Sequence, residues 1–124
     1  MKNFSIRSLQ KYIAETDNKI VCCEADGRYT RVYFDDNKHE TIPAHLKVIE
    51  QLVKDKSFFR SHKSHIVNLK CIIGVNYNKG SIYLKNGYVA DISRRKVTEL
   101  KYLRANNKII PGFDYSRKNF SRTK

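Results

Sequence analysis

Short apolar runs alternate with clusters of turn residues along most of the chain, and this spacing predicts strands first. Residues 4–9, 11–14, 19–25, 28–34 and 40–42 read as strands rich in Val, Ile, Tyr, Thr and Phe. Asp26-Gly27 and Asp35-Asp36-Asn37-Lys38 break these runs with residues that tolerate turn and left-handed backbone, so hairpins are expected. At Pro43 the period changes. Leu46, Ile49 and Leu52 with Val53 recur at helical spacing, and Pro43 suits a first helical position. Strands return over residues 65–69, 71–77, 80–84 and 88–92, joined by Asn78-Lys79-Gly80 and Lys85-Asn86-Gly87. A last helix is predicted from Ser93 as N-cap to about Arg104, on Val97, Leu100 and Leu103. The expected fold is mainly β with short helices.

Length and charge narrow the partner. A chain of 124 residues suffices for one core. Its 25 Lys and Arg against 12 Asp and Glu give a formal charge of +13, far beyond what solubility requires. Such an excess points to a partner rich in phosphates or carboxylates: nucleic acid, an anionic membrane or an acidic protein. No apolar run approaches a membrane span and the N-terminus lacks a secretory h-region, so a soluble, cytoplasmic protein is expected. Cys22, Cys23 and Cys71 are odd in number, and adjacent Cys22 and Cys23 would point to opposite faces of a strand. They are expected to be reduced thiols packed as small hydrophobes.

Three segments concentrate the candidate chemistry. The first is Phe58-Phe59-Arg60-Ser61-His62-Lys63-Ser64-His65-Ile66-Val67-Asn68, a cluster of donors set directly before a β-branched strand. Arg60 and Lys63 can donate to guanine O6 and N7, while His62 and Ser64 can meet phosphates or base edges. One of His62 and His65 is expected to be a structural histidine of the core. The second segment is Ser93-Arg94-Arg95-Lys96. There, cations crowd a helix start, where the dipole favours acidic groups, and an anionic ligand would relieve the conflict. The third is Glu24-Ala25-Asp26-Gly27-Arg28-Tyr29-Thr30-Arg31, a turn entering a strand whose alternation separates Tyr29, Arg31 and Tyr33 from Thr30, Val32 and Phe34.

In this order and spacing the three segments resemble the LytTR-type DNA-binding domain of bacterial response and transcription regulators, over roughly residues 18–104. The resemblance implies an elongated antiparallel-sheet architecture whose loops, rather than a recognition helix, enter successive major grooves of duplex DNA. It places base contacts at Thr30, Arg31, Lys63 and Arg95 and a phosphate contact at His45; Arg60, His62, Ser64 and Arg94 are expected, from their own chemistry, to contact the backbone as well. Asn68 matches the Val-Asn of the family motif and reads as structural. Binding as a pair to direct repeats, weak self-association on DNA and a separate receiver or sensor protein are the implied partners. The stretch before Lys19 has no room for a receiver or membrane segment, so the chain reads as a stand-alone regulator, a domain excised from a longer protein, or the output half of a two-protein system. The domain is drawn as 1–105, followed by a basic tail, 106–124, whose Phe113, Tyr115 and Phe120 interleave with Arg117, Lys118 and Arg122.

Other classes fit less well. Ser61-His62 and Ser64-His65 lack an acidic residue in the motif to orient an imidazole, so no catalytic role is expected. With no Cys-x-x-Cys pair, neither a metal site nor a cofactor is expected. Paired aromatic strand motifs and a Gly-x-x-Gly loop are absent, which disfavours common RNA modules. The alternative is a basic module for an anionic membrane or an acidic protein, resting on the last helix, where Val97, Leu100 and Leu103 accompany Arg94, Lys96, Lys101 and Arg104.

Overall fold

The computed structural model describes residues 5–54 and 56–105. Helix α1 (Ile6–Thr16) comes first, followed by strands β1 (Ile20–Asp26), β2 (Tyr29–Phe34) and β3 (His39–Ile42). Helix α2 (Leu46–Leu52) leads to β4 (Phe58–His62) and β5 (His65–Asn68). A 3₁₀ turn, Leu69–Cys71, precedes β6 (Ile72–Asn76), β7 (Ser81–Leu84) and β8 (Val89–Asp91). A second 3₁₀ turn, Arg94–Lys96, runs into α3 (Val97–Ala105). The strands form a five-stranded sheet, β3-β2-β1-β5-β4, and a three-stranded sheet, β6-β7-β8, all pairs being antiparallel.

The larger sheet has a core on each face. Ile20, Cys23, Val32, Ile42 and Ile66 pack beneath α1 and α2, where they meet Leu9, Ile13, Leu46 and Ile49. Val21, Cys22, Phe59 and Val67 face the other way, toward Val75, Ile82, Leu84 and Ala90 of the small sheet and Leu100 of α3. A register shift between Ile20 and Cys22 puts Val21 and Cys22 on the same side, while Cys23 falls on the opposite one. The free thiols are buried, and loss of solvation pushes Cys23 up to about 12 and raises Cys22 and Cys71 as well. They act as small core hydrophobes.

Four predicted elements differ from those observed. Where strands are expected over residues 4–9 and 11–14, the described residues form a single helix, Ile6–Thr16. Ser5 caps it by accepting from the Ser8 amide at 3.1 Å, and Leu9 and Ile13, four apart, bury one stripe. Here helical spacing and tertiary packing outweigh the β-propensity of Ile and Tyr. Pro43 does not open α2: His45 is the N-cap residue and Leu46 the first helical one. Strand β4 is additional, because its alternation, with Phe59 and Ser61 buried, is masked in sequence by Arg60 and His62. Finally, Ser93 makes no side-chain cap, and the last helix begins as the 3₁₀ turn that carries Arg94 and Arg95.

Asn68 closes the frame. Its side chain donates to the Ile20 carbonyl at 2.8 Å and accepts from Ser57 Oγ and the Lys70 amide, both at 3.0 Å. It thereby ties β1, the entry to β4 and the first 3₁₀ turn together, a structural role. The packing of α1 is testable by urea denaturation. Ile13→Ala is expected to cost about 2–5 kcal/mol, while Ile6→Ala, at a position 57% exposed, should stay within about 0.5 kcal/mol. Equal effects would contradict the packing.

Candidate nucleic-acid interface

Strand register brings all the candidate segments to one end of the larger sheet. Asp26 pairs with Tyr29 across the β1–β2 hairpin, and Glu24 pairs with His65, so that hairpin tip lies beside the β4–β5 turn. The Ala25 amide donates to the Ser64 carbonyl at 2.9 Å and fixes the adjacency. Thr30 pairs with Ile42, and its hydroxyl donates to the Ala44 carbonyl at 2.8 Å, which brings the N-cap residue His45 to the same end. From the second sheet, Asp91 and Ser93 are attached to β4. Ser61 Oγ donates to the Asp91 carbonyl at 2.7 Å, and the Ser93 amide donates to the Ser61 carbonyl at 2.9 Å. Arg94 and Arg95 follow directly.

The cations at this end fall into two groups. Arg31 is held by Asp26 at 2.6 Å and Glu24 at 3.6 Å, and it also donates to the Tyr33 hydroxyl. Arg60 pairs with Glu50 of α2 at 2.6 Å and donates to the carbonyls of His62 and Lys63 at 2.9 and 2.7 Å. Its guanidinium is therefore a strut beneath the β4–β5 turn. Lys96 pairs with Glu99 and lies over the Phe59 ring. By contrast Arg28, Lys63, Arg94 and Arg95 are exposed, and among the described residues none has a carboxylate within 4 Å. Gly27, with φ +62°, makes the tight turn that places Arg28 at the hairpin tip.

The remaining expected contacts are placed unequally. Thr30 is fully buried, and its hydroxyl is engaged by the Ala44 carbonyl of the loop before α2. His45 is exposed and makes no capping bond. His62 and Ser64 are half-buried and bonded to one another, Nδ1 to Oγ at 2.8 Å. His65 is the structural histidine, 5% exposed and linked to the Tyr88 hydroxyl at 3.2 Å and to the Asp91 amide at 3.3 Å. The bond by which Ser61 and Asp91 join the two sheets spans 30 positions and left no local signal in the sequence. Tail residues 106–124 lie outside the described residues.

A sheet that gathers exposed, unpaired cations on loops at one end is suited to gripping a polyanion. Residues 10–104 match the family model of the LytTr DNA-binding domain, and the chain belongs to that family. The match begins within α1, ahead of the motif-bearing strands. Among solved structures, the chain is similar to the LytTr DNA-binding domain of a Bacillus cereus protein described as a methyl-accepting/DNA response regulator. The two share 27% identity and a TM-score of 0.60 over 69% of this chain and 81% of that one. The sheet-rich, antiparallel architecture with short helices agrees with that fold. No curated protein sequence matches the chain.

Burial gives His65 a measurable signature. Loss of solvation lowers its pKa below the ordinary 6.5, aided by His62 and opposed by the Asp91 and Glu24 carboxylates. The unfolded chain therefore takes up the proton first as pH falls. Stability from this residue is full above about pH 6.5, falls below it by at most about 1.4 kcal/mol per pH unit, and levels off once the folded imidazole is protonated. Thermal unfolding followed in chelator from about pH 7.5 to 5 should show a shallower acid-side decline in His65→Gln than in wild type. Parallel declines would contradict the assignment.

Proposed function

We propose that this chain is the DNA-binding module of a transcription regulator and reads duplex DNA with the loops at the charged end of its larger sheet. The observation that carries this reading is the convergence of Arg28, Lys63, Arg94 and Arg95, exposed and without carboxylate partners, on one end of a LytTr-family domain. Lys63 at the tip of the β4–β5 turn and Arg95 in the 3₁₀ turn are assigned as base readers, since each can donate to guanine O6 and N7 in a major groove. Arg31 becomes a third reader by exchanging Asp26 for a base or phosphate oxygen. Arg94, His45 and His62 contact the backbone, and Ser64 does so by turning its hydroxyl proton from the imidazoles to a phosphate oxygen. Thr30 and Arg60 set the position of the reading loops from behind.

The domain is taken as 1–105 with the basic segment 106–124 as its tail, acting in the cytoplasm. It binds as a pair on direct repeats, with a receiver or sensor supplied by another protein. The membrane alternative draws no support from α3, because Leu100 is buried and Val97 and Leu103 pack on the core. Among the described residues, no helix is long and apolar enough to cross a membrane.

Selection of bound duplexes from a randomised pool, with retesting at ~0.15 M salt against scrambled competitor, tests the reading. One short enriched motif, in direct repeat, is expected; tight binding without any motif would reduce the chain to a phosphate-binding module. On the selected site, Arg95→Ala should cost about 1–3 kcal/mol and relax preference at one base step. Arg60→Ala should weaken binding to every duplex alike, because it loosens the turn without removing a base contact. Uniform loss with Arg95→Ala would remove it from the readers.

A further inference from the structure

At the base of the β4–β5 turn, the structure brings several acceptor atoms together. His62 and His65 pair across the β4–β5 turn, and Asp91 approaches from the second sheet. One possible ligand atom from each lies within 4.8 Å of the others. Backbone donors fix the imidazole tautomers. The Ser64 amide donates to His62 Nδ1 at 3.1 Å and the Asp91 amide to His65 Nδ1 at 3.3 Å, so both Nδ1 atoms are unprotonated acceptors. Between them sits the Ser64 hydroxyl, 2.8 Å from one and 3.0 Å from the other. A hydroxyl has a single proton and can donate to only one of two nitrogens. At the other contact, lone pairs face each other. The Asp91 carboxylate, 3.9 Å from His65 Nδ1, adds negative charge to this surplus of acceptors.

The electrostatic complement of such a cluster is a cation. We propose that His62, His65 and Asp91 form a binding site for a divalent transition cation of the zinc class, with solvent completing the coordination. Two imidazole nitrogens and one carboxylate suit zinc better than calcium or magnesium, which prefer all-oxygen sets. The far side of His65 is already arranged as a metal-bound imidazole requires. Its Nε2–H donates to the Tyr88 hydroxyl at 3.2 Å, with Glu24 3.9 Å away, which holds the ring and keeps Nδ1 free of a proton. Ligand atoms in a tetrahedral zinc site stand roughly 3.3 Å apart. Rotation of the Asp91 side chain, 60% exposed, and of the half-buried His62 ring can close the set to that spacing, the ion displacing the Ser64 hydroxyl and the long amide contacts from the Nδ1 atoms. The same exposure gives the ion its way in. Cys22, Cys23 and Cys71 take no part, since they are buried in the two cores. Occupancy would tie the turn carrying Lys63 to the end of β8, three residues ahead of Arg94, and so fix two reading loops in one frame.

The test needs no DNA, so its outcome is separate from that of the DNA-binding reading. Untagged full-length chain, stripped with chelator, is titrated with cobalt(II) and followed by its visible d–d bands, then with zinc by calorimetry. Saturable one-to-one binding is expected, with the visible intensity of a low-coordinate nitrogen and oxygen site. Asp91→Asn changes an exposed side chain and His62→Ala a half-buried one, so both should retain the native circular dichroism. Each should weaken binding roughly tenfold or more. Absence of saturable binding, or wild-type affinity in either variant, would overturn the site.

Discussion

The pinning of β4 to the end of β8 is the constraint on which the charged end of the molecule depends. Ser61 makes it from both sides of one residue, its hydroxyl donating to the Asp91 carbonyl and its own carbonyl accepting from the Ser93 amide. Ser61 is fully buried, and leaving its hydroxyl or its carbonyl without a partner would cost about 1–3 kcal/mol. Besides these two bonds, the polar links from the β4–β5 region to the three-stranded sheet are, among the described residues, those of His65 to the Tyr88 hydroxyl and the Asp91 amide, and the rest of the contact is apolar and not directional. With them, Lys63 and Arg94 belong to one rigid frame although they are 31 positions apart in sequence, counted as 94 minus 63.

Charge within that frame is divided by function. Arg60 and Arg31 spend their donors internally, on Glu50 and two carbonyls in one case and on Asp26, Glu24 and Tyr33 in the other. Ion pairs at such partly exposed positions contribute little to stability by themselves, so their value is geometric. They set the shape of the turn and the hairpin. Arg28, Lys63, Arg94 and Arg95 are left with their charge facing solvent, where a phosphate backbone can neutralise it and release counterions. Among the described residues, the β1–β2 hairpin tip, the β4–β5 turn and the 3₁₀ turn at Arg94 and Arg95 each carry an exposed cation with no carboxylate partner.

Much of this was legible in the sequence. The strand pattern from Lys19 onward, the opposite faces of Cys22 and Cys23, and the structural part of Asn68 follow from period-two alternation and turn chemistry, which are local. The family followed from three motifs in order. What was not legible is long-range or depends on a satisfied polar group. Helix α1 was hidden because its sequence is compatible with either period until a sheet face is there to cover. Strand β4 was hidden because a buried Ser61 is intelligible only once the Asp91 carbonyl is placed against it. For the same reason the burial of Thr30 and the bonds of Arg60 to the β4–β5 turn could not be read from the motifs.

The most direct measurement of the central claim is an NMR titration of the ¹⁵N-labelled chain with a selected duplex, following backbone amides and arginine side chains. Shifts confined to the β1–β2 hairpin tip, the segment around His45, the β4–β5 turn and the 3₁₀ turn at Arg94 and Arg95 are the predicted result. A footprint centred on α1, or on the outer face of the three-stranded sheet around Ile73 and Val89, would contradict it.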